Sequence, residues 1–273
     1  IRRAADRIAA VLEGQLIEQA WFGLKRLQRF GPELSGARVD RVDTRGKALL
    51  VRFTNGLNLY AHNQLYGVWR VCPRGRPPET GRSLRVALHT SEHSALLYSA
   101  SDIAVLTAAE ELSHPFLAKL GPDLLDPDLT WRDLARRLNH ERFRRRALAS
   151  LYLDQGYVAG IGNYLRSEIL FAAKLNSALR PAQLEVRERN ALARATLTLG
   201  RRAYQTGGIT LPERQVRQLK QLGLRRREYR FAVFDRAGDP CLQCGSTIER
   251  HEAGSRRIYH CPACQPARHC AGN

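Results

Sequence analysis

Apolar residues open the chain at helical spacing. Ile1, Ala5, Ile8 and Leu12 share one face and Gly14 ends the run, so an amphipathic helix is predicted over 1–13. From there to about residue 106 the apolar runs become short and strand-like. Residues 48–53 and 57–60 flank Asn55-Gly56, a dipeptide suited to the positive φ of a type I′ turn, and predict a hairpin. Residues 83–88 and 95–98 read as a second pair. Regularly spaced short strands point to an antiparallel sandwich or barrel. The stretch from Cys72 to Gly81 holds Pro73, Pro77 and Pro78 and reads as a loop.

Near Gly121-Pro122-Asp123 the texture turns helical. Thr130 with Asp133 resembles a capping box, with Asp in place of the usual Glu. Helical periodicity continues through 143–153, 163–175 and 183–204. A polar, arginine-rich connector follows over roughly 205–228, then a segment of about 229–266 with four cysteines and turn residues. The tail, 267–273, is predicted to be disordered. The order is strands, then helices, then cysteines, without an internal repeat.

Charge narrows the picture. Lys plus Arg number 44 against 26 Asp plus Glu, a formal net charge of +18, so a polyanion is the default partner and nucleic acid the foremost one. Only Lys25, Lys47, Lys119, Lys174 and Lys220 are lysines, and arginine's planar fork suits phosphate oxygens. With 44% hydrophobic residues the chain can bury real cores, which excludes a wholly disordered basic tail. No stretch of about 18 consecutive apolar residues exists, so no membrane-spanning helix is expected. No secretory pattern opens the chain. The sequence holds no methionine and begins at Ile1, so it is expected to lack its true N-terminus.

Cys241 and Cys244 form one CxxC, Cys261 and Cys264 a second, with sixteen residues between the pairs. This spacing predicts a zinc site whose four thiolates close the coordination shell, so the single ion is structural. About 35 residues build little core, and the metal supplies folding energy. Disulfides compete as an explanation, but a basic chain without a signal peptide suits the reducing cytoplasm. Cys72 and Cys270 stand apart and read as a buried thiol and a tail thiol. Arg256 and Arg257 lie between the cysteine pairs, on an arm able to carry charge to DNA.

Residues 153–166 join two helical stretches through Gly156, Gly160 and Gly162, and Asn163 opens the second helix. Glycines allow tight turns, and a helix start offers N–H groups and a positive dipole end to phosphate.

These fragments together resemble the bacterial formamidopyrimidine-DNA glycosylase and endonuclease VIII family of base-excision repair enzymes, from Ile1 to about Gln265. They are Thr44-Arg45-Gly46-Lys47, His114-Pro115-Phe116-Leu117, Leu120-Gly121-Pro122-Asp123, Gly160-Ile161-Gly162-Asn163-Tyr164 and Cys261-Pro262-Ala263-Cys264-Gln265. The run His62-Asn63-Gln64-Leu65-Tyr66-Gly67-Val68-Trp69 is similar to the endonuclease VIII branch.

The resemblance implies an α+β chain of two lobes with DNA in the cleft between them. An N-terminal antiparallel β-sandwich lobe with flanking helices would span 1–118. A helix–two-turn–helix region would follow over 119–228 and a zinc-finger β-hairpin over 229–266. It implies a monomeric, cytoplasmic, nucleoid-associated enzyme acting on double-stranded DNA with damaged pyrimidines or abasic sites. An N-terminal proline amine would attack C1′, expel the base and leave an iminium that drives β- and δ-elimination. The family's opening Pro-Glu-Gly-Pro-Glu directly precedes the helix that begins here with Ile1. The proline and its acidic partner are therefore expected to be missing from the given sequence, either by truncation, which the intact downstream motifs favour, or by loss. Loss would leave a damaged-DNA-binding protein without catalysis.

Further roles carry over by position. Lys47 matches the proton donor in β-elimination. Arg256 matches the hairpin arginine assigned to δ-elimination and phosphate contact; its high pKa makes the phosphate role the better founded. Asn163 matches a phosphate-contacting asparagine, and Lys119 stands where relatives have an arginine at a DNA contact. Gln64, Leu65 and Tyr66 match a wedge that fills the stack when a nucleotide is flipped out. The poorly matching 205–228 segment would help shape the base pocket.

Overall fold

A computed structural model describes residues 1–254 and 256–267, so the expected tail, with Cys270, lies outside the described residues from 268 onward. The chain divides into two compact units between Lys119 and Leu120.

The first unit runs α1 (Arg2–Leu12), β1 (Gln19–Phe22), α2 (Phe30–Leu34), β2 (Val39–Arg45), β3 (Ala48–Phe53), β4 (Leu57–His62), β5 (Val68–Pro73), β6 (Leu84–His89), β7 (His93–Tyr98), β8 (Asp102–Thr107) and α3 (Ala108–Ser113). Two antiparallel four-stranded sheets, β2-β3-β4-β8 and β1-β6-β7-β5, share one core. Leu49, Val51, Leu59 and Ala61 from the first meet Val86, Leu88, Ala95 and Leu97 from the second, the inward halves of the strand alternation. Helix α1 adds Ala5, Ile8 and Leu12, the face read from the sequence.

Strand β3 does not alternate; Ala48, Leu49, Leu50 and Val51 are all buried. Its outer face is covered by the chain after β8. The Glu111 carboxylate of α3 accepts from both terminal nitrogens of Arg52, at 2.6 and 2.9 Å, and from Asn58 Nδ2 at 3.0 Å. His114 packs on Tyr60 with ring centres 4.3 Å apart, and Phe116 lies 4.9 Å from His62. The Arg52 guanidinium holds the Glu111 carboxyl below its ordinary 4.5. A depressed carboxyl stabilises the fold above its ordinary value and loses that contribution as pH falls through the lowered one. Glu111→Gln is expected to cost about 2 kcal/mol at neutral pH. It should also flatten the acid limb of stability followed by urea unfolding; identical wild-type and variant slopes below pH ~4.5 would discount the pair.

Two local expectations change. The Asn55-Gly56 hairpin has a three-residue loop, 54–56, in which only Gly56 takes positive φ, at +85°, so it is not a type I′ turn. Asn55 stays outside that region; its Nδ2 reaches the Glu33 carbonyl at 2.9 Å and its Oδ1 accepts from Leu57 N–H. Cys72 and Pro73 end β5 rather than begin a loop. Strand β5 is a sheet edge, where proline's missing N–H is tolerated. Cys72 is half-buried.

The second unit contains α4 (Trp131–Asn139), α5 (Glu141–Arg144), α6 (Leu148–Leu151), α7 (Asn163–Ala172), α8 (Val186–Gln205), α9 (Glu213–Gln221), α10 (Arg226–Tyr229), β9 (Glu249–Ala253) and β10 (Arg256–His260). Thr130 and Asp133 form the reciprocal cap that starts α4, so the shorter Asp serves in place of Glu. The continuous helix expected over 143–153 is broken. Leu148 N–H donates to Leu179 O and Ala149 N–H to Ser177 O, so the chain leaves helical bonding at 145–147 and restarts as α6. The expected 205–228 connector contains α9 and α10, anchored by Val216 and Tyr229. Antiparallel β9 and β10 form the hairpin, and Ile248, Tyr259, Cys241 and Cys261 share a core with Phe171 of α7.

Candidate nucleic-acid interface and metal centre

In the first unit Lys47 occupies the β2–β3 turn, beside Gly46 at φ +59°. The lysine is half-buried. Residue 1 lies within electrostatic reach of Lys47. Lys47 also reaches His62 electrostatically. Burial lowers that imidazole, Asp102 raises it in opposition, and Lys47 lowers it further. Asp102 lies 3.9 Å from His62 Nδ1 and accepts from the Tyr60 hydroxyl at 3.3 Å. The structure thus groups residue 1, Lys47, His62 and Asp102, of which sequence reasoning had given a role to Lys47 alone. His62 stood inside a quoted motif, the one signal that could have found it.

Gln64, Leu65 and Tyr66 form the tip of the β4–β5 connection. Leu65 and Tyr66 are each 70% exposed, so the core packing that usually claims such a pair does not apply here. Lys119 is exposed at the end of a single 3₁₀ turn, Leu117–Lys119.

In the second unit the α6–α7 connection is held by side chains. Gln155 Nε2 donates to the carbonyls of Leu153 and Ile161, and its Oε1 accepts from Gly160 N–H. Of the three glycines only Gly160 takes positive φ, at +100°. Gly162 caps α7 without a side chain, leaving the first-turn N–H groups without a side-chain acceptor from that position. Asn163 Nδ2 donates to the Arg257 carbonyl at 2.9 Å, which commits one of its amide hydrogens to β10. Its Oδ1 accepts from Arg166 Nη2 at 2.7 Å.

Three consecutive buried polar residues of α7 clamp the hairpin and its base. Arg166 donates to the carbonyls of Ala149 and Arg257. Ser167 Oγ accepts from Tyr259 N–H at 3.3 Å. The Glu168 carboxylate accepts from the N–H groups of Ala232, Val233 and Phe234 and from the Thr210 hydroxyl. Burial lowers Arg166 to about 10, and the neighbouring positive charge of Arg256 adds to the shift. Asn163 and exposed Arg256 are thus gathered at one end of α7 with Arg166 behind them, a positive group suited to phosphate.

The four expected cysteines come together. Their Sγ atoms all lie within 4.8 Å of one another, with 4.0 Å for Cys241–Cys264 and 3.5 Å for Cys244–Cys261 and Cys244–Cys264. A metal about 2.3 Å from four sulfurs needs edges of about 3.8 Å, so the geometry fits. The Ser246 hydroxyl and backbone hold Cys244 down to about 6, whereas burial pushes Cys261 and Cys264 up. Four sulfurs this close could hold a metal ion, and binding it would take the thiol protons away.

The described parts are thus a β-sandwich bearing an exposed apolar tip and a turn lysine, followed by a helix–loop–helix that grips a hairpin based on four clustered cysteines. Residues 1–101 match the formamidopyrimidine-DNA glycosylase N-terminal domain, and residues 120–215 the formamidopyrimidine-DNA glycosylase H2TH domain. Endonuclease 8 of Escherichia coli O17:K52:H18 is 47% identical over 265 residues, covering 97% of each chain. Endonuclease 8 of Salmonella arizonae is 46% identical over the same length. The chain belongs to the formamidopyrimidine-DNA glycosylase and endonuclease 8 family. Among solved structures, Lactococcus lactis Fpg in complex with a Fapy-dG-containing DNA has the same fold, with a TM-score of 0.79 at 19% identity over 97% of each chain. Its complex with an abasic-site DNA gives 0.78. Among the described residues no helix is long and apolar enough to cross a membrane.

Proposed function

We propose that this chain is a monomeric glycosylase and abasic-site lyase that removes oxidised pyrimidines from double-stranded DNA. An N-terminal proline amine, carried on Pro-Glu-Gly-Pro-Glu ahead of Ile1, attacks C1′ and the base departs. The resulting iminium acidifies C2′, and loss of that proton expels the 3′ phosphate; the unsaturated iminium so formed acidifies C4′, and loss of that second proton expels the 5′ phosphate. Lys47 supplies charge and a transferable proton at this step. Asn163, Arg256 and Lys119 hold phosphates, and Gln64, Leu65 and Tyr66 fill the stack behind the rotated nucleotide. Zinc bound by Cys241, Cys244, Cys261 and Cys264 supplies a closed structural crosslink for the hairpin, which keeps Arg256 in place.

The observation that carries the reading is the exposed Leu65-Tyr66 tip on a sandwich whose β2–β3 turn presents Lys47 within electrostatic reach of residue 1 and His62. The relatives named Endonuclease 8 and the Fpg complexes with lesion and abasic DNA support it.

Borohydride reduction on abasic-site DNA tests it. A chain with Pro-Glu-Gly-Pro-Glu before Ile1 is expected to form a covalent complex, whereas one starting at Ile1 binds without being trapped. Failure of the extended chain to trap would leave a damaged-DNA-binding protein. Trapping by the shorter chain would move the nucleophile to Ile1.

A further inference from the structure

The β4–β5 connection is a closed turn. Gly67 N–H donates to the Asn63 carbonyl at 2.8 Å. A Cβ at position 67 would lie 2.6 Å from that oxygen and 2.7 Å from Asn63 Cα, so only glycine closes the turn this tightly. Gln64 sits at φ +52°, a region that side chains bearing a Cβ rarely enter. Groups outside the turn hold it there. Gln64 N–H donates to His62 Nδ1 at 3.3 Å, and the Ser101 hydroxyl donates to Gln64 Oε1 at 3.1 Å. Arg82, sixteen residues along the chain from Tyr66, donates to the Tyr66 carbonyl at 2.7 Å. Leu65 stands between these tethers, and its side chain and that of Tyr66 remain in solvent.

We infer that Ser101 and Arg82 are positioning residues that preform the Gln64-Leu65-Tyr66 wedge; the inference rests on the wedge reading given above. A free five-residue loop would lose its conformational freedom during insertion into DNA, slowing that step. Here one tether holds each end of the wedge before DNA arrives. Ser101 fixes the Gln64 side chain, whose backbone is strained, and Arg82 fixes the main chain at Tyr66. Both come from other parts of the sandwich, Ser101 from just before β8 and Arg82 from just before β6. The tip is thereby referenced to the two sheets rather than to its own loop.

The test uses the chain as given and a duplex containing a non-cleavable abasic analogue, with 2-aminopurine beside it to report unstacking by stopped-flow fluorescence. A Ser101→Ala, Arg82→Ala double variant is expected to slow unstacking about tenfold while binding a single-stranded oligonucleotide as tightly as wild type. An Arg82→Lys, Ser101→Ala variant should recover part of the rate, because a donor returns to the Tyr66 carbonyl. Leu65→Ala is the reference for the wedge itself and should suppress unstacking. If Leu65→Ala slows unstacking and the double variant does not, the positioning role is refuted and the wedge stands. If Leu65→Ala leaves the rate unchanged, the wedge reading fails and this inference with it. Equal weakening on duplex and single strand would assign the two residues to general folding and overturn the proposal.

Discussion

With zinc held as proposed by the four cysteines, Cys261→Ser is expected to abolish metal binding and weaken DNA binding by about a hundredfold, while leaving the β-sandwich folded. Cys261 is fully buried in the core that joins the hairpin to α7. The hairpin's own apolar burial is small, because β9 is exposed along most of its length and β10 buries only Ile258 and Tyr259. Without the crosslink, Arg257 O and Tyr259 N–H would leave Arg166, Asn163 and Ser167, and Arg256 would lose its place beside them. Metal content by elemental analysis, DNA affinity by fluorescence anisotropy and near-ultraviolet dichroism of the sandwich separate these effects. Full affinity in a metal-free variant would remove the hairpin from the DNA interface. A chelator should reproduce the loss in wild type.

The second large effect is expected at Lys47. In a chain carrying the N-terminal proline, Lys47→Ala should slow strand cleavage at an abasic site by about two orders of magnitude, with a much smaller change in binding. Lys47→Arg separates charge from proton transfer. Arginine keeps the positive charge, so binding should recover, but its pKa is too high for ready proton donation and cleavage should stay slow. Single-turnover nicking assays read the difference. Cleavage at the wild-type rate in Lys47→Ala would end its assignment to elimination.

Where the sequence was informative, each signal was short in range and had one dominant cause. The α1 face, the Thr130–Asp133 cap and the paired CxxC turns all draw on neighbouring residues. The misses depend on partners far along the chain. The break at 145–147 requires the carbonyls of Ser177 and Leu179. The 205–228 segment folds as α9 and α10 although Val216 and Leu219 give its first helix only a thin apolar edge. Asn55-Gly56 carried the expected turn chemistry, but Glu33 claims the Asn55 amide and the loop gains a residue. At the site, family resemblance named Lys47, Asn163, Arg256 and the wedge. It named neither Ser101 and Arg82 nor His62 and Asp102, whose significance lies only in what the sandwich brings beside them. Asn163 was read as a phosphate ligand, yet its amide also bridges to β10, a contact across 94 positions that no local pattern encodes.

Arg166, Ser167 and Glu168 follow one another on α7, so they leave the helix axis about 100° apart. One seeks carbonyls, one receives a single amide and one receives a row of amides. A one-residue insertion ahead of them within the helix would turn all three bearings at once and set each before the wrong kind of backbone group. The helix is a key with three dissimilar teeth, and the hairpin and its base form a lock with no neighbouring notch to slip into.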